Sequence, residues 1–426
     1  MRYFYFLVAA VMLSGFFGWI NFDYAGEITV INKPAVILPA GHAPRFSILQ
    51  KIQEGMDLLR KSPPLIFETK NKKPTSELVR KQIAFALLDT ESGDIFEQRV
   101  WVREQDIKNY KKTGVITLEP CVTCYIAPIN NDKKININVK WWNSFNTFYE
   151  IPDHPKLIVV ANKYLFPSKY LASLPEKSKS QYTDIVYAPY SKRLHIVETI
   201  ETGKIYLEKN IDQAFAELET DKVTSRFLPG TLVTKNISKD LVRNIIVVEH
   251  VDPDSFSSAT DGGQELSERV LAVIGANQEL AYRYTGSPAG ASGLAQFIKS
   301  TYDNMVSRYP KAKLIKNYNS GMANHINAIK AMVLFFDSHR KEIADKTTRQ
   351  DVIKSFGITE EMLAATYNGG PGRVIKSVNK YGLAWLSRQL DFPQTTKIFR
   401  LETLNYLKKF QAIKNLNLFA DIGNSL

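Results

Sequence analysis

A chain of 426 residues is long enough for two or three domains, each with its own core. With 44% hydrophobic and 23% charged residues, its composition is that of a globular protein and excludes wholesale disorder. A net charge of +12 favours polyanionic surroundings, but no RNA-binding signature, zinc-finger spacing or unbroken Lys/Arg tract points to nucleic acid, and no nucleic-acid partner is expected.

The chain opens with Phe4 to Ile20, FYFLVAAVMLSGFFGWI, an uncharged run close to the length of a bilayer's hydrocarbon core, preceded by Arg2 and followed by Asp23. Asp23 stands where a small residue is wanted before Ala25, so NFDYAG is a poor cleavage site. Residues 1–24 are therefore expected to be an uncleaved transmembrane anchor, with the rest of the chain outside the cytoplasm. No Cys lies near residue 20 to carry a lipid.

Residues 25–238 read as a mixed α/β region. EITVI (27–31), QIAFALL (82–88), FEQRVWV (96–102), KININV (134–139) and KLIVVA (156–161) have strand character and are bounded by turn residues. FSILQKIQEGMDLLRK (46–61) and KNIDQAFAELET (209–220) have helical periodicity. The chain's two cysteines, Cys121 and Cys124, cannot complete a zinc site, and in an exported protein a local structural disulfide between them is expected. Trp141 and Trp142 offer faces for stacking on sugar rings, although a core position for one of them is the commoner outcome.

Turn residues in FLPGTLVTKNISK mark a boundary, and residues 239–426 read as helical throughout: NIIVVEHVDP (244–253), ELSERVLAVIGANQELAYRY (265–284), HINAIKAMVLFFDSH (325–339), EEMLAATYN, WLSRQL and LETLNYLKKFQAI. The fold class is thus α+β, an N-terminal mixed region followed by an all-helical domain.

Four segments of the helical part carry the chemistry. Glu279 is placed near the end of the 265–284 helix, where Gly275 and Ala276 leave room for a ligand or a neighbouring helix. An apolar wall there would hold its carboxyl protonated. SPAGASGLAQF follows, with a glycine-rich turn that presents free N–H groups. ATYNGGPGRV (365–374) and FPQTTKIFRLETLNYLKKF, with Glu402, Thr403 and Tyr406, come later. Glu249, beside His250 in VVEHVDP, is a further acidic candidate, read as a helix terminus.

In their order and spacing these segments resemble the catalytic domain of lytic transglycosylases and goose-type lysozymes. Ser287, Gly290, Ala291, Gly293, Leu294 and Gln296 match one motif, and Tyr367, Asn368, Gly370, Pro371, Gly372 and Val374 another. The resemblance covers the last 185 or so residues and implies a lysozyme-like fold. It implies cleavage of the bond between N-acetylmuramic acid and N-acetylglucosamine in peptidoglycan, with Glu279 as sole general acid and base and 1,6-anhydromuropeptides as products. Ser287 and Gln296 would position the sugars, Tyr367 and Asn368 would line the cleft, and Glu402 would belong to the closing element. The implied chemistry uses no metal or cofactor, and the implied location is the periplasmic side of the cell envelope. Three departures stand out: Leu280 replaces the family's Ser after the acid, Ala295 replaces Met, and eight positions separate Glu279 from Ser287, one fewer than in the family (287 − 279 = 8). They leave open an alternative, a non-catalytic peptidoglycan-binding or envelope-scaffold protein.

Overall fold

The computed structural model describes residues 46–71, 77–121, 135–168, 181–287, 289–391 and 398–420. Phe4–Ile20, the 27–31 strand and Cys124 lie outside these residues. Among the described residues, no helix is long and apolar enough to cross a membrane.

The N-terminal region is built on an antiparallel sheet backed by one helix. Its elements are α1 (Ile48–Lys61), β1 (Phe67–Thr69), β2 (Leu78–Asp89), β3 (Ile95–Arg103), α2 (Glu104–Thr113), β4 (Leu118–Pro120), β5 (Asn138–Trp141), β6 (Phe148–Glu150), β7 (Leu157–Pro167) and β8 (Tyr182–Tyr187). The strand order is β4-β3-β2-β7-β8, with β1 also paired to β2, while β5 and β6 form a separate ladder. Side chains alternate across β2. Ala84, Ala86 and Leu88 meet Ile52, Met56 and Leu59 of α1, and Ile83, Phe85 and Leu87 join the core that continues into the helical region. Both faces are covered, which is why the six residues 83–88 are apolar without interruption. Gly55 lets α1 settle on the small-residue face, since a Cβ there would stand 2.8 Å from Val160.

The helical region comprises α3 (Val197–Thr220), α4 (Lys239–His250), α5 (Pro253–Ser257), α6 (Gln264–Asn277), α7 (Lys299–Arg308), α8 (Tyr318–Ala323), α9 (His325–Lys346), α10 (Gln350–Phe356), α11 (Glu360–Gly369), α12 (Pro371–Tyr381), α13 (Trp385–Asp391) and α14 (Leu401–Leu416). Central to it is α9, buried along most of its length from His325 to Ser338. The expected 209–220 helix is the second half of α3, which packs on α4, α6 and α9 and so lies among the helices that follow it.

Two sequence expectations need correction here. The helix expected over 265–284 stops at Asn277, and Gln278 takes φ 47°, ψ −117°, a left-handed conformation costly for a residue with a Cβ. The Asn277 side chain is tied down at the break. Its Oδ1 accepts from Ala188 N (2.8 Å) and its Nδ2 donates to Ala188 O (2.9 Å), so the amide pairs like a strand residue with the segment after β8. The space beside Gly275 is filled by a neighbouring helix: a Cβ on Gly275 would lie 1.9 Å from Thr199 O, and one on Gly203 would lie 1.9 Å from Leu271 O. The two backbones of α3 and α6 touch through these glycines.

Because the obstacle is backbone, side-chain repacking cannot relieve it. Gly203→Ala is expected to destabilise the fold by about 3 kcal/mol or more, read as a lowered denaturant midpoint with an unchanged slope. An unchanged midpoint would show that the helices can separate freely.

Candidate active site

Helix α4 begins at Ser238, whose hydroxyl accepts from Leu241 N, and buries Leu241, Val242 and Ile245–Val248. Glu249 and His250 form its last turn, before Asp252 caps α5 and Pro253 starts it. The apolar run thus fixes the helix, and the two polar residues at its end emerge where three other segments converge.

The first of these is α14. Tyr406, buried, donates its hydroxyl to Glu249 Oε1 at 2.7 Å, and buried Lys409 donates to Val251 O at 2.7 Å. The second is the glycine-rich loop. His250 Nε2 donates to Leu294 O at 2.9 Å, and the His250 ring stacks on Tyr282 at 3.6 Å between centroids. The third is α11, from which Tyr367 donates to Ala295 O and packs on Phe297, Phe335 and Phe336. Next to it, Asn368 Oδ1 accepts from Thr403 Oγ1 of α14 at 2.8 Å.

Burial raises the Glu249 carboxyl from its ordinary 4.5 to about 7, against the lowering effects of the Tyr406 bond and the nearby Lys409 charge; the charge of exposed Glu402 adds to the rise. Its place at the negative end of α4 acts in the same direction. Burial likewise depresses His250 to about 3, so this ring is a neutral donor across the physiological range. Lys409 is held below the usual lysine range by burial. With Oε1 occupied by Tyr406, Oε2 is left to carry the proton.

The loop is a preformed turn. Ser287 N donates to Ala291 O (2.9 Å), Ser287 Oγ accepts from Ala291 N (3.1 Å), and Tyr318 donates to Gly290 O (2.8 Å). Gly293 has φ 71°, and a Cβ there would meet Met322 O at 2.4 Å, so glycine is required. Gln296, at φ 48°, donates from Nε2 to Gly293 O at 2.6 Å. The hydroxyl of Ser287 and the amide of Gln296 therefore both brace the loop.

The structure separates Glu279 from this cluster. It lies in a short 3-10 turn beyond the end of α6, is exposed, and opens into a recess of about 450 Å³ shared with Tyr206, Arg283 and His325. Gln296, Tyr367 and Asn368 do not line that recess. The apolar stripe of α6 expected to wall the carboxyl faces α3 and the core instead. Tyr367, Asn368 and the loop gather at Glu249, with α6 interposed in the chain: 38 positions, rather than eight, separate this acid from Ser287 (287 − 249 = 38). The signals that single out Glu249 were the apolar run before it and Tyr406 in the last motif.

Among the other candidates, Glu402 is exposed on α14 and reaches the site only through its charge. Cys121 is buried near Gln82 and is not a free thiol. Trp142 is half-buried and packs near Tyr164, while exposed Trp141 is covered by Arg269 at 5.4 Å. Among the described residues, no three His, Cys, Asp or Glu side chains gather as metal ligands would.

Residues 233–384 match the model of the transglycosylase SLT domain. This part of the chain is accordingly a lysozyme-like domain of the lytic transglycosylase kind, a class directed at peptidoglycan. The match contains Glu249, the loop and α11, and leaves α3 and α14 outside. No curated protein and no solved structure matches the chain.

Titration provides a check on the site. Folding favours the protonated form of a carboxyl raised in this way, so its contribution is fully present below about 4.5. It falls as pH rises towards about 7, by about 3 kcal/mol in all. Glu249→Gln should flatten that part of the stability profile relative to the parent chain. Removal of a bond that lowers the pKa should move the titration of Glu249 upward in Tyr406→Phe, as followed by carboxyl carbon NMR. A titration at the ordinary glutamate value in the parent chain would mean that the carboxyl is open to water.

Proposed function

We propose that this protein is a peptidoglycan lytic transglycosylase whose single general acid and base is Glu249. The observation that carries the reading is the half-buried Glu249 carboxyl, raised to about 7 and bonded to Tyr406, with the loop backbone at Leu294 and Ala295 fixed beside it by His250 and Tyr367. A group protonated near neutrality can give a proton and take one back, as this chemistry demands.

In the first step, Glu249 donates its proton to the glycosidic oxygen as the bond from that oxygen to the anomeric carbon of N-acetylmuramic acid breaks. The developing positive charge is met by the sugar's own N-acetyl group, so no second carboxylate is needed. The C6 hydroxyl of the same sugar then attacks the anomeric carbon and gives its proton to the Glu249 carboxylate. The product is a 1,6-anhydro sugar; the acid is restored and no water is consumed. Tyr406 holds the carboxyl in one orientation throughout, and its own buried phenol stays protonated, raised well above the usual tyrosine value.

The apolar Phe4–Ile20 segment supports a place in the cell envelope, anchored in the cytoplasmic membrane with the SLT domain on the periplasmic side. The alternative of a non-catalytic binding protein drew on Leu280, on the short spacing after Glu279 and on the large N-terminal region. With the acid at Glu249, the first two features do not bear on catalysis.

Incubation of the full chain with purified peptidoglycan should release 1,6-anhydromuropeptides detectable by mass spectrometry. Glu249→Gln should reduce release by at least about a thousandfold, whereas Glu279→Gln should not abolish it. The opposite pattern would return the acid to Glu279, reducing-end products would indicate hydrolysis, and no release by the parent chain would favour a binding role. The rate should also fall about tenfold per pH unit above about 7, as the acid loses its proton.

A further inference from the structure

The recess that holds Glu279 is a built polar site that the proposed mechanism does not use. It lies between α3, the turn after α6 and the start of α9, and its chemistry comes from Tyr206, Asn210, Glu279, Arg283, Asn324 and His325. Two buried or half-buried groups form a fixed floor. His325 Nε2 must donate to Ala281 O (2.8 Å), because a carbonyl only accepts, so Nδ1 accepts from the Tyr206 hydroxyl (3.1 Å). Burial holds His325 down at about 4, which keeps this arrangement neutral and unchanged at physiological pH. Asn210, buried, is oriented by its donation to Tyr206 O at 2.8 Å.

Above this floor stand two charges of opposite sign. Neither Glu279 nor Arg283 has an ion pair or a side-chain hydrogen bond among the described residues, although both open into the same concavity. A simple anion would meet Glu279, and a simple cation would meet Arg283. A neutral sugar could hydrogen-bond to both groups through its hydroxyls but would neutralise neither charge. The ligand that satisfies the recess brings an ammonium and a carboxylate together, with peptide groups for the Asn210 and Asn324 amides.

We infer that the recess binds the zwitterionic amino-acid group of a short peptide, specifically the peptide branch of the glycan strand. That choice of source rests on the proposed action on peptidoglycan, whose muramic acid units carry such branches. Position supports it: Tyr282 stacks on His250 beside the acid, and the next residue, Arg283, faces the recess. The two sites thus share one turn, Gln278–Tyr284. Within that turn Gln278 at φ 47° and Tyr282 at φ 56° take costly conformations, and Glu279 and Arg283 line the recess while the Tyr282 ring lies on His250. The recess would then select glycan that retains its peptides.

The test is calorimetric binding of a sugar-free peptide, L-Ala-γ-D-Glu-meso-diaminopimelate, to the full chain. The same peptide acetylated on its distal amine serves as the comparison. The unmodified peptide should bind, and acetylation, Arg283→Gln or Glu279→Gln should each weaken binding at least about tenfold, the loss of one charge-assisted contact. No binding by the parent chain, or equal binding by both variants, would overturn the inference. The readout does not depend on turnover. Peptide binding without release of anhydromuropeptides would count against the proposed reaction while upholding the recess, and release without peptide binding would do the reverse.

Discussion

The contact between α3 and α6 is the constraint from which the rest of the arrangement follows. Gly203 and Gly275 each stand where any side chain would run into the other helix's carbonyl oxygen. Two helices in backbone contact cannot slide or rotate without losing that fit. The contact sets α6 in place, and Asn277 then ties its end to Ala188 after the sheet. The turn that follows has one course open to it. Along that course Tyr282 comes to rest on His250, and Glu279 and Arg283 come to face Tyr206 of α3.

Around Glu249 the same economy operates through hydrogen bonds. Three segments far apart in the chain meet at the end of α4: the loop through His250 and Tyr367, α11 through Asn368 and Thr403, and α14 through Tyr406. The donors of these bonds are buried or half-buried, so a donor that loses its partner costs more than the bond itself. Their joint effect is to exclude water from one carboxyl while leaving it a single oriented partner. Desolvation outweighs the lowering effects of Tyr406 and Lys409, and an ordinary glutamate becomes an acid poised near neutrality. Glu279, 30 positions further on (279 − 249 = 30), has a charged neighbour and open solvent instead.

The matched SLT stretch ends before α14 and begins after α3. The Tyr406 that orients the acid and the Tyr206 that floors the recess therefore both come from flanking helices. The helix between Glu249 and the loop gives this chain a second polar surface on the back of the turn that supports the first.

Much of this was legible in the chain. Short apolar runs and strand alternation marked β2, β3 and β7, and a period of 3.6 marked α1, α4, α9, α11 and α14, because the faces an element buries are written into the spacing of its apolar residues. The short motifs GASGLAQF and YNGGPG identified the lysozyme-like part because tight turns leave few residue choices: Gly293 has no room for a Cβ. What sequence left undecided was which acid these motifs surround. Spacing along the chain favoured Glu279, a few residues before the loop, since nothing in the residues themselves announces that α6 ends at Asn277 and folds away. Only the tertiary structure brings Glu249 to Tyr406 and buries it, and the raised pKa of a carboxyl is a property of everything packed around it: here burial outweighs the lowering effects of Tyr406 and Lys409, residues far along the chain.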